Sequence, residues 1–229
     1  MIHSYSSEDK VLLAVDCIIF GFDEEELKIL LIKRDFKPER GKWSLMGGFL
    51  KKDENLDQAA NRILHHLTGI NNVYLEQLYN FSKVDRDPVE RTLSVSYFAL
   101  INSAEHNTEL TENYSAKWFT LSEAPSLIFD HGKMVKHAIS RLRYRASNGP
   151  IGFELLPEKF TMRQLQKLYE AILGEKLDKR NFINKINSLD ILVKLDEKDM
   201  SSSRKGSFLY KFDQQKYKRK IDDGFSFKL

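Results

Sequence analysis

The chain has 229 residues, 41% hydrophobic, 30% charged and with a net charge of +3, which suits one large or two modest domains with real cores and an ordinary soluble surface. Its single cysteine, Cys17, excludes an internal disulfide framework and a Cys-rich zinc module. No apolar run approaches the roughly 20 residues needed to span a bilayer, and MIHSYSSEDK lacks the basic-then-apolar character of a secretory signal, so a cytoplasmic protein is expected.

The first 120 residues read mostly as strands. VLLAVDCIIFGF is a β-branched run, DEEE supplies a turn, and LKILLIKR follows as the second arm of a hairpin. Cys17, inside the first run, reads as a small buried hydrophobe. A helix is predicted from about Leu56 to Thr68 with Gly69 as its C′ residue. RTLSVSYFALI and AKWFTL are further strands. A second helix follows Asp130, a plausible N-cap, and runs to the Ser147-Asn148-Gly149-Pro150 breaker. That breaker divides the chain into domains at 1–148 and 149–229.

Charge divides with it. Residues 151–229 carry 17 Lys and Arg against 12 Asp and Glu, a net +5, whereas residues 1–150 carry 19 against 21, a net −2. A basic small part suggests a polyanionic partner. Thr161 caps a helix with Leu165, Leu168 and Ile172 on one face, and Gly174 punctuates it. A shorter helix starts at Asp178 and turns Phe182, Ile183, Ile186 and Leu189 inward. ILVKLDE and SFLYKFD are two strands joined by the basic loop KDMSSSRKG. Helix, turn, helix and charged hairpin is the order of a winged helix-turn-helix, although a generic small α+β module has a similar order.

The stretch GGFLKKDENLDQAANRILHHLTGI, residues 47–70, carries the most specific signal. Leu56, Ala59, Ala60, Ile63, Leu64 and Leu67 form one apolar helical stripe. The stretch resembles the Nudix hydrolase signature: Gly48, Glu54, Arg62, Leu64, Gly69 and Ile70 fall in register, and GKWSLMGGF resembles the usual lead-in. The resemblance covers about residues 10–145. It implies an α/β fold, a Nudix α/β/α sandwich with a mixed sheet followed by the smaller winged helix-turn-helix domain. In active members, glutamates on the signature helix hold divalent cations against a diphosphate. Three of those positions are Ile63, His66 and Leu67 here, and Glu54 alone remains. One carboxylate does not make a Mg²⁺ site, so no metal, no cofactor and no hydrolysis are expected. His65 and His66 are adjacent, about 100° apart on a helix, and do not converge on one ion.

With its second domain, the chain resembles the Nudix-related transcriptional regulators, on AVDCIIF, IFDHGKMV and GFELLPEKFTMRQLQKLYEAILGEKLDKRNF. That resemblance implies a repressor or activator that binds palindromic operator DNA as a homodimer and responds to a small effector. The helix beginning at Asp178 is then the recognition helix, with Lys179, Arg180, Asn181, Asn184 and Lys185 on its DNA side; Arg204 and Lys205 sit at the hairpin tip. Some members of the family respond to pentoses such as arabinose and control carbohydrate catabolism; others respond to ADP-ribose and control NAD metabolism. Loss of the metal glutamates tilts the expectation toward L-arabinose. Asp16, which interrupts LLAVDCIIF, is a candidate acceptor for a sugar hydroxyl, since a buried carboxylate needs a polar partner. Lys33 is a candidate partner for Asp16, and Lys42, Trp43 and Phe49 flank the Gly-Gly turn as further effector contacts. The alternatives are a metal-dependent hydrolase of ADP-ribose-like nucleoside diphosphates, an ADP-ribose-sensing regulator and a protein-interaction adaptor.

Overall fold

The structure, a computed structural model, describes residues 8–23, 25–71, 73–103, 115–201 and 205–223. Its first module is built on a seven-stranded mixed sheet. The strands are β1 (Leu12–Phe22), β2 (Leu27–Lys33), β3 (Trp43–Ser44), β4 (Met46–Phe49), β5 (Glu76–Phe81), β6 (Thr92–Asn102) and β7 (Ala116–Thr120). The main order is β3-β2-β1-β6-β5, with β4 also on β1 and β7 also on β2. The hairpin expected between β1 and β2 is present, antiparallel over Ile19–Phe22. Along its other flank β1 lies parallel to β6 over all eleven residues, from Leu12↔Thr92 to Phe22↔Asn102. β1 is covered on both faces, which is why it reads as an unbroken hydrophobic run. Val15, Cys17 and Ile19 face one core with α1 (Leu56–Thr68); Ile18, Phe20 and Phe22 face another. Cys17 is fully buried, as expected, and burial pushes its thiol well above the usual range.

Helix α1 begins with a capping box, Asn55 accepting from the Gln58 N–H while Gln58 accepts from the Asn55 N–H, and ends at Gly69 with φ 72°. Helix α2 (His131–Asn148) lies on the second face of the sheet and puts Met134, Ala138, Leu142 and Ala146 into its core.

The second module contains a short 3₁₀ turn (Phe153–Leu155), β8 (Phe160–Thr161), α3 (Met162–Leu173), α4 (Lys179–Leu189), β9 (Leu192–Asp199), β10 (Ser207–Phe212) and α5 (Gln214–Asp222). The caps are those read from sequence: Thr161 for α3, in a capping box with Gln164, and Asp178 for α4, accepting from the Asn181 N–H. Strands order as β8-β10-β9, which gives the winged-helix arrangement. Phe182, Ile186 and Leu189 of α4 are buried against Leu165, Leu168, Tyr169 and Ile172 of α3, with Ile183 only partly buried.

The two modules share a single hydrophobic cluster. It runs from Phe20 and Phe22 of β1 through α2 to Leu165 and Leu168 of α3. Arg143 of α2 donates to the Ile172 carbonyl at the end of α3 at 3.1 Å, and the Ile151 N–H donates to the Tyr169 hydroxyl at 3.4 Å. Among the described residues no helix is long and apolar enough to cross a membrane.

Leu142 is fully buried in this shared cluster. Leu142→Ala is expected to lower stability by about 2–5 kcal/mol through lost burial and a residual cavity, checked by the midpoint of urea unfolding.

Candidate functional site

A cavity of about 300 Å³ opens where β1, β4 and β6 meet the first turn of α2. Its floor is set by Asp16. Strand alternation puts Asp16 on the same face as Ile18 and Phe20, and it is only 4% exposed. Such a carboxylate must be compensated. The Ser94 hydroxyl, from β6, donates to Oδ2 at 2.5 Å; Arg86 Nη2 approaches to 3.7 Å and His131 Nε2 to 3.7 Å. Antiparallel register places Gly47 opposite Asp16, and a Cβ added at Gly47 would overlap Asp16 Oδ1. The Gly-Gly pair, read from sequence as a turn, lies within β4, and its first glycine is required by the carboxylate beside it.

Arg86 has a side chain only 2% exposed and forms a two-pronged pair with Asp130, Nη2 to Oδ1 at 2.9 Å and Nε to Oδ2 at 3.2 Å. His131, the first residue of α2, accepts the Leu45 N–H at Nδ1 (3.2 Å), which leaves Nε2 as the protonated nitrogen facing Asp16. Burial above all holds His131 below the ordinary imidazole range, assisted by Arg86 and Arg34 and opposed by Asp16 and Asp130. The outer wall is aromatic and mixed in charge: Lys33, Arg34, Phe36, Phe49 and Phe129 line it together with Asp35 and Asp87, and the Arg34 guanidinium lies 3.7 Å over the Phe36 ring centre.

Of the effector contacts expected from sequence, Asp16, Lys33 and Phe49 line the cavity. Lys42 and Trp43 do not: Lys42 is exposed and paired with Glu39, and Trp43 packs edge-on against Phe119 with ring centres 4.8 Å apart. The Asp16–Lys33 pair is not formed. β4 rather than β2 lies beside Asp16, and Lys33 sits opposite Trp43, so Arg86 and His131 take the role instead. Arg34, Arg86, Phe129 and His131 were missed because their segments meet Asp16 only through tertiary packing. IFDHG contains two of them, but its local pattern is merely that of a helix start.

The signature positions divide between core and cavity. Ile63 is 2% exposed and lies beneath Gly48, where an added Cβ would come within 3.0 Å of its Cγ1. His66 and Leu67 line the cavity, His66 from an exposed position. Glu54 is bound twice by Arg62, Nε to Oε2 at 2.7 Å and Nη2 to Oε1 at 2.5 Å, while Arg62 also reaches the Phe49 carbonyl at 3.0 Å. The Arg62 contact holds the Glu54 carboxyl at about 2. An imidazole, two aliphatic chains and one committed carboxylate do not fit a hard divalent cation.

The second surface lies on α4 and its hairpin. Lys179, Arg180, Asn181 and Asn184 are exposed and Lys185 is partly exposed, opposite the buried Phe182, Ile186 and Leu189. Lys205 is exposed near the β9–β10 turn; Arg204 lies outside the described residues. The hairpin adds Lys194 and Lys198, whose ammonium groups sit 3.6 and 4.8 Å from the Phe208 ring centre. The pairing of these lysines with Phe208 needs the hairpin register.

Gly47→Ala is expected to destabilise the protein by about 1–3 kcal/mol through overpacking against Asp16. Thermal unfolding of Gly47→Ala beside the double variant Gly47→Ala, Asp16→Ala separates steric conflict from loss of the glycine, because only the first is relieved in the pair.

Comparison with known proteins agrees with this two-module geometry. Residues 10–138 match the NUDIX domain family and residues 152–212 match the NrtR DNA-binding winged helix domain. The chain is 35% identical over 210 residues to the "ADPR responsive transcriptional repressor NtrR" of Acinetobacter baylyi, covering 90% of this chain and 84% of that protein. It is similar to the crystal structure of Shewanella oneidensis NrtR complexed with a 27mer DNA, with TM-score 0.79 and 29% identity over 87% of this chain and 93% of that one. The NUDIX domain of the same protein, crystallised with ADP ribose, matches with TM-score 0.54 and 30% identity over 61% of this chain and 94% of that domain. The chain therefore belongs to the Nudix family, in the group that joins a Nudix domain to an NrtR-type winged helix.

Proposed function

We propose that the chain is a DNA-binding repressor whose Nudix domain senses ADP-ribose and no longer hydrolyses it. The observation that carries the effector assignment is the cavity wall: Lys33, Arg34 and Arg86 supply cationic groups and Phe36, Phe49 and Phe129 aromatic ones, beside the carboxylates of Asp16, Asp35 and Asp87. A diphosphate bearing an aromatic base uses both sets; a neutral pentose uses neither fully. This replaces the arabinose expectation. Loss of the metal glutamates removes metal-bridged phosphate binding, but it leaves cations that come from β2, the segment after it and the loop before β6. The relative that spans 90% of this chain is described as ADPR responsive, and a similar NUDIX domain was crystallised with ADP ribose, which supports the same reading.

Catalytic inactivity is supported by the donor chemistry. Glu54 is committed to Arg62, and Ile63 and Leu67 carry no ligand atom. The scaffold then binds without activating water.

DNA recognition is assigned to α4, entering the major groove with Arg180, Asn181 and Asn184 facing bases and Lys179 and Lys185 on phosphates. Lys205 and the hairpin lysines lie on the adjacent backbone. One short helix reads few base pairs, so the operator is a palindrome and the protein acts as a homodimer.

Calorimetric titration of the full chain is expected to give saturable binding of ADP-ribose and none of L-arabinose at millimolar concentration; the reverse pattern overturns the effector. Incubation of ADP-ribose with Mg²⁺ or Mn²⁺ is expected to release no AMP, and release that disappears in Glu54→Gln would restore a hydrolase. For the second module, a duplex selected from a random pool is expected to bind with an affinity that falls steeply from 50 to 200 mM salt. Arg180→Ala with Lys185→Ala is expected to weaken that binding by roughly 10-fold or more without moving the thermal midpoint. Unchanged retardation by the double variant excludes α4 as the reading helix.

A further inference from the structure

Asp130 occupies the N-cap position of α2, yet its side chain makes no capping hydrogen bond. A carboxylate there ordinarily accepts the free N–H groups of the first turn and meets the positive end of the helix dipole. Here both its oxygens are taken by Arg86 instead. Arg86 is itself part of the cavity wall and is almost completely buried. The residue before the cap, Phe129, also lines the cavity and holds φ 49°, a left-handed conformation rare for a bulky side chain. The residue after it, His131, faces Asp16 across the same cavity. Of these three successive residues, Phe129 and His131 line the cavity, and Asp130 holds the Arg86 that lines it.

The other end of that helix belongs to the winged-helix module. α2 has 18 residues, about 27 Å of rigid rod. Leu142 and Ala146 join the cluster that holds Leu165 and Leu168 of α3, and Arg143 caps the α3 C-terminus through the Ile172 carbonyl. α3 in turn supports α4 through Leu168, Tyr169 and Phe182.

We infer that Arg86 is an exchange contact: an anionic group entering the cavity competes with Asp130 for its guanidinium, and the freed Asp130 turns back to cap α2, so that binding is transmitted along α2 to the winged helix. This rests on the reading that the cavity takes an ADP-ribose-like diphosphate. In the exchange Arg86 trades one oxyanion for another, and the Asp130 carboxylate moves from a guanidinium to the positive end of the α2 dipole. The move includes a turn of the Asp130 backbone, whose ψ of 13° is not the extended one of the caps Asn55, Thr161 and Asp178, while the His131 N–H already donates to the Ile128 carbonyl and the Lys133 N–H to the Asp130 carbonyl. A switch requires two arrangements that the ligand binds unequally. The ligand shifts the balance because it binds one arrangement better.

Asp130→Asn separates this device from a simple structural support. Asn cannot hold Arg86 as a charged partner but is among the best N-caps, so it places the ligand-free protein in the exchanged arrangement. Hydrogen exchange of the full chain, read at residues 131–137 and 162–173, is the measurement. In the wild type, ADP-ribose is expected to change protection several-fold in both segments. In ligand-free Asp130→Asn the same changes are expected, and ADP-ribose adds little further change. ADP-ribose is expected to bind the variant several-fold tighter, because its competitor for Arg86 has gone. Arg86→Lys, which keeps the charge but loses the fork, is expected to bind ADP-ribose at least 10-fold more weakly while showing the same ligand-free change at 162–173.

The inference is overturned if both folded variants leave residues 162–173 as in the wild type, or if ADP-ribose still changes that segment fully in Asp130→Asn. Changes confined to 131–134 also overturn it, since they mark a support and no relay. Should Asp130→Asn not fold, Arg86→Lys decides by the same reading. Failure of ADP-ribose to bind the wild type sinks the effector assignment alone, because the ligand-free comparison of variants still decides the coupling.

Discussion

The carboxylate of Asp16, buried in the middle of β1, sets the terms for everything around it. Removing a charge from water costs several kcal/mol unless partners replace the solvent, and here they come from four directions. Ser94 arrives from β6, Arg86 from the preceding loop, His131 from the head of α2, and Gly47 of β4 gives way by having no side chain. Each partner in turn brings its own element to the site. The cavity is the space these elements leave between them, and its character follows from the charges needed to settle one acid.

The Nudix signature has been kept as a clamp. Glu54 and Arg62 tie the loop after β4 to the middle of α1, and Arg62 extends the tie to the Phe49 carbonyl. Ile63 fills the space under Gly48. The loop is thereby held against the helix, with Ile63 and Leu67 at two of the positions where the signature has glutamates.

The second module depends on the first for part of its support. A single cluster runs from β1 through α2 into α3, and Arg143 completes the end of α3. A short winged helix with buried Tyr169 and Phe182 gains a rigid base from this packing. The same continuity gives a displacement at the head of α2 no soft linker in which to dissipate.

Local chemistry determined much of what was legible in the sequence. The end of α1 at Gly69 and both ends of α3, Thr161 and Gly174, followed from local signals, since capping and left-handed glycines act within four residues. The β1–β2 hairpin and the inward face of α4 followed from periodicity, which reports burial on a single element. Short or partly exposed strands such as β3, β4 and β5 carried no such period and were not legible. Nor were the partners of Asp16. The sequence by itself determined that Asp16 would be buried and would need compensation, because a strand's alternation is local. Only the tertiary structure decided that Arg86 and His131, 70 and 115 residues away, would provide it in place of Lys33, because sheet register and helix packing choose which distant side chains meet.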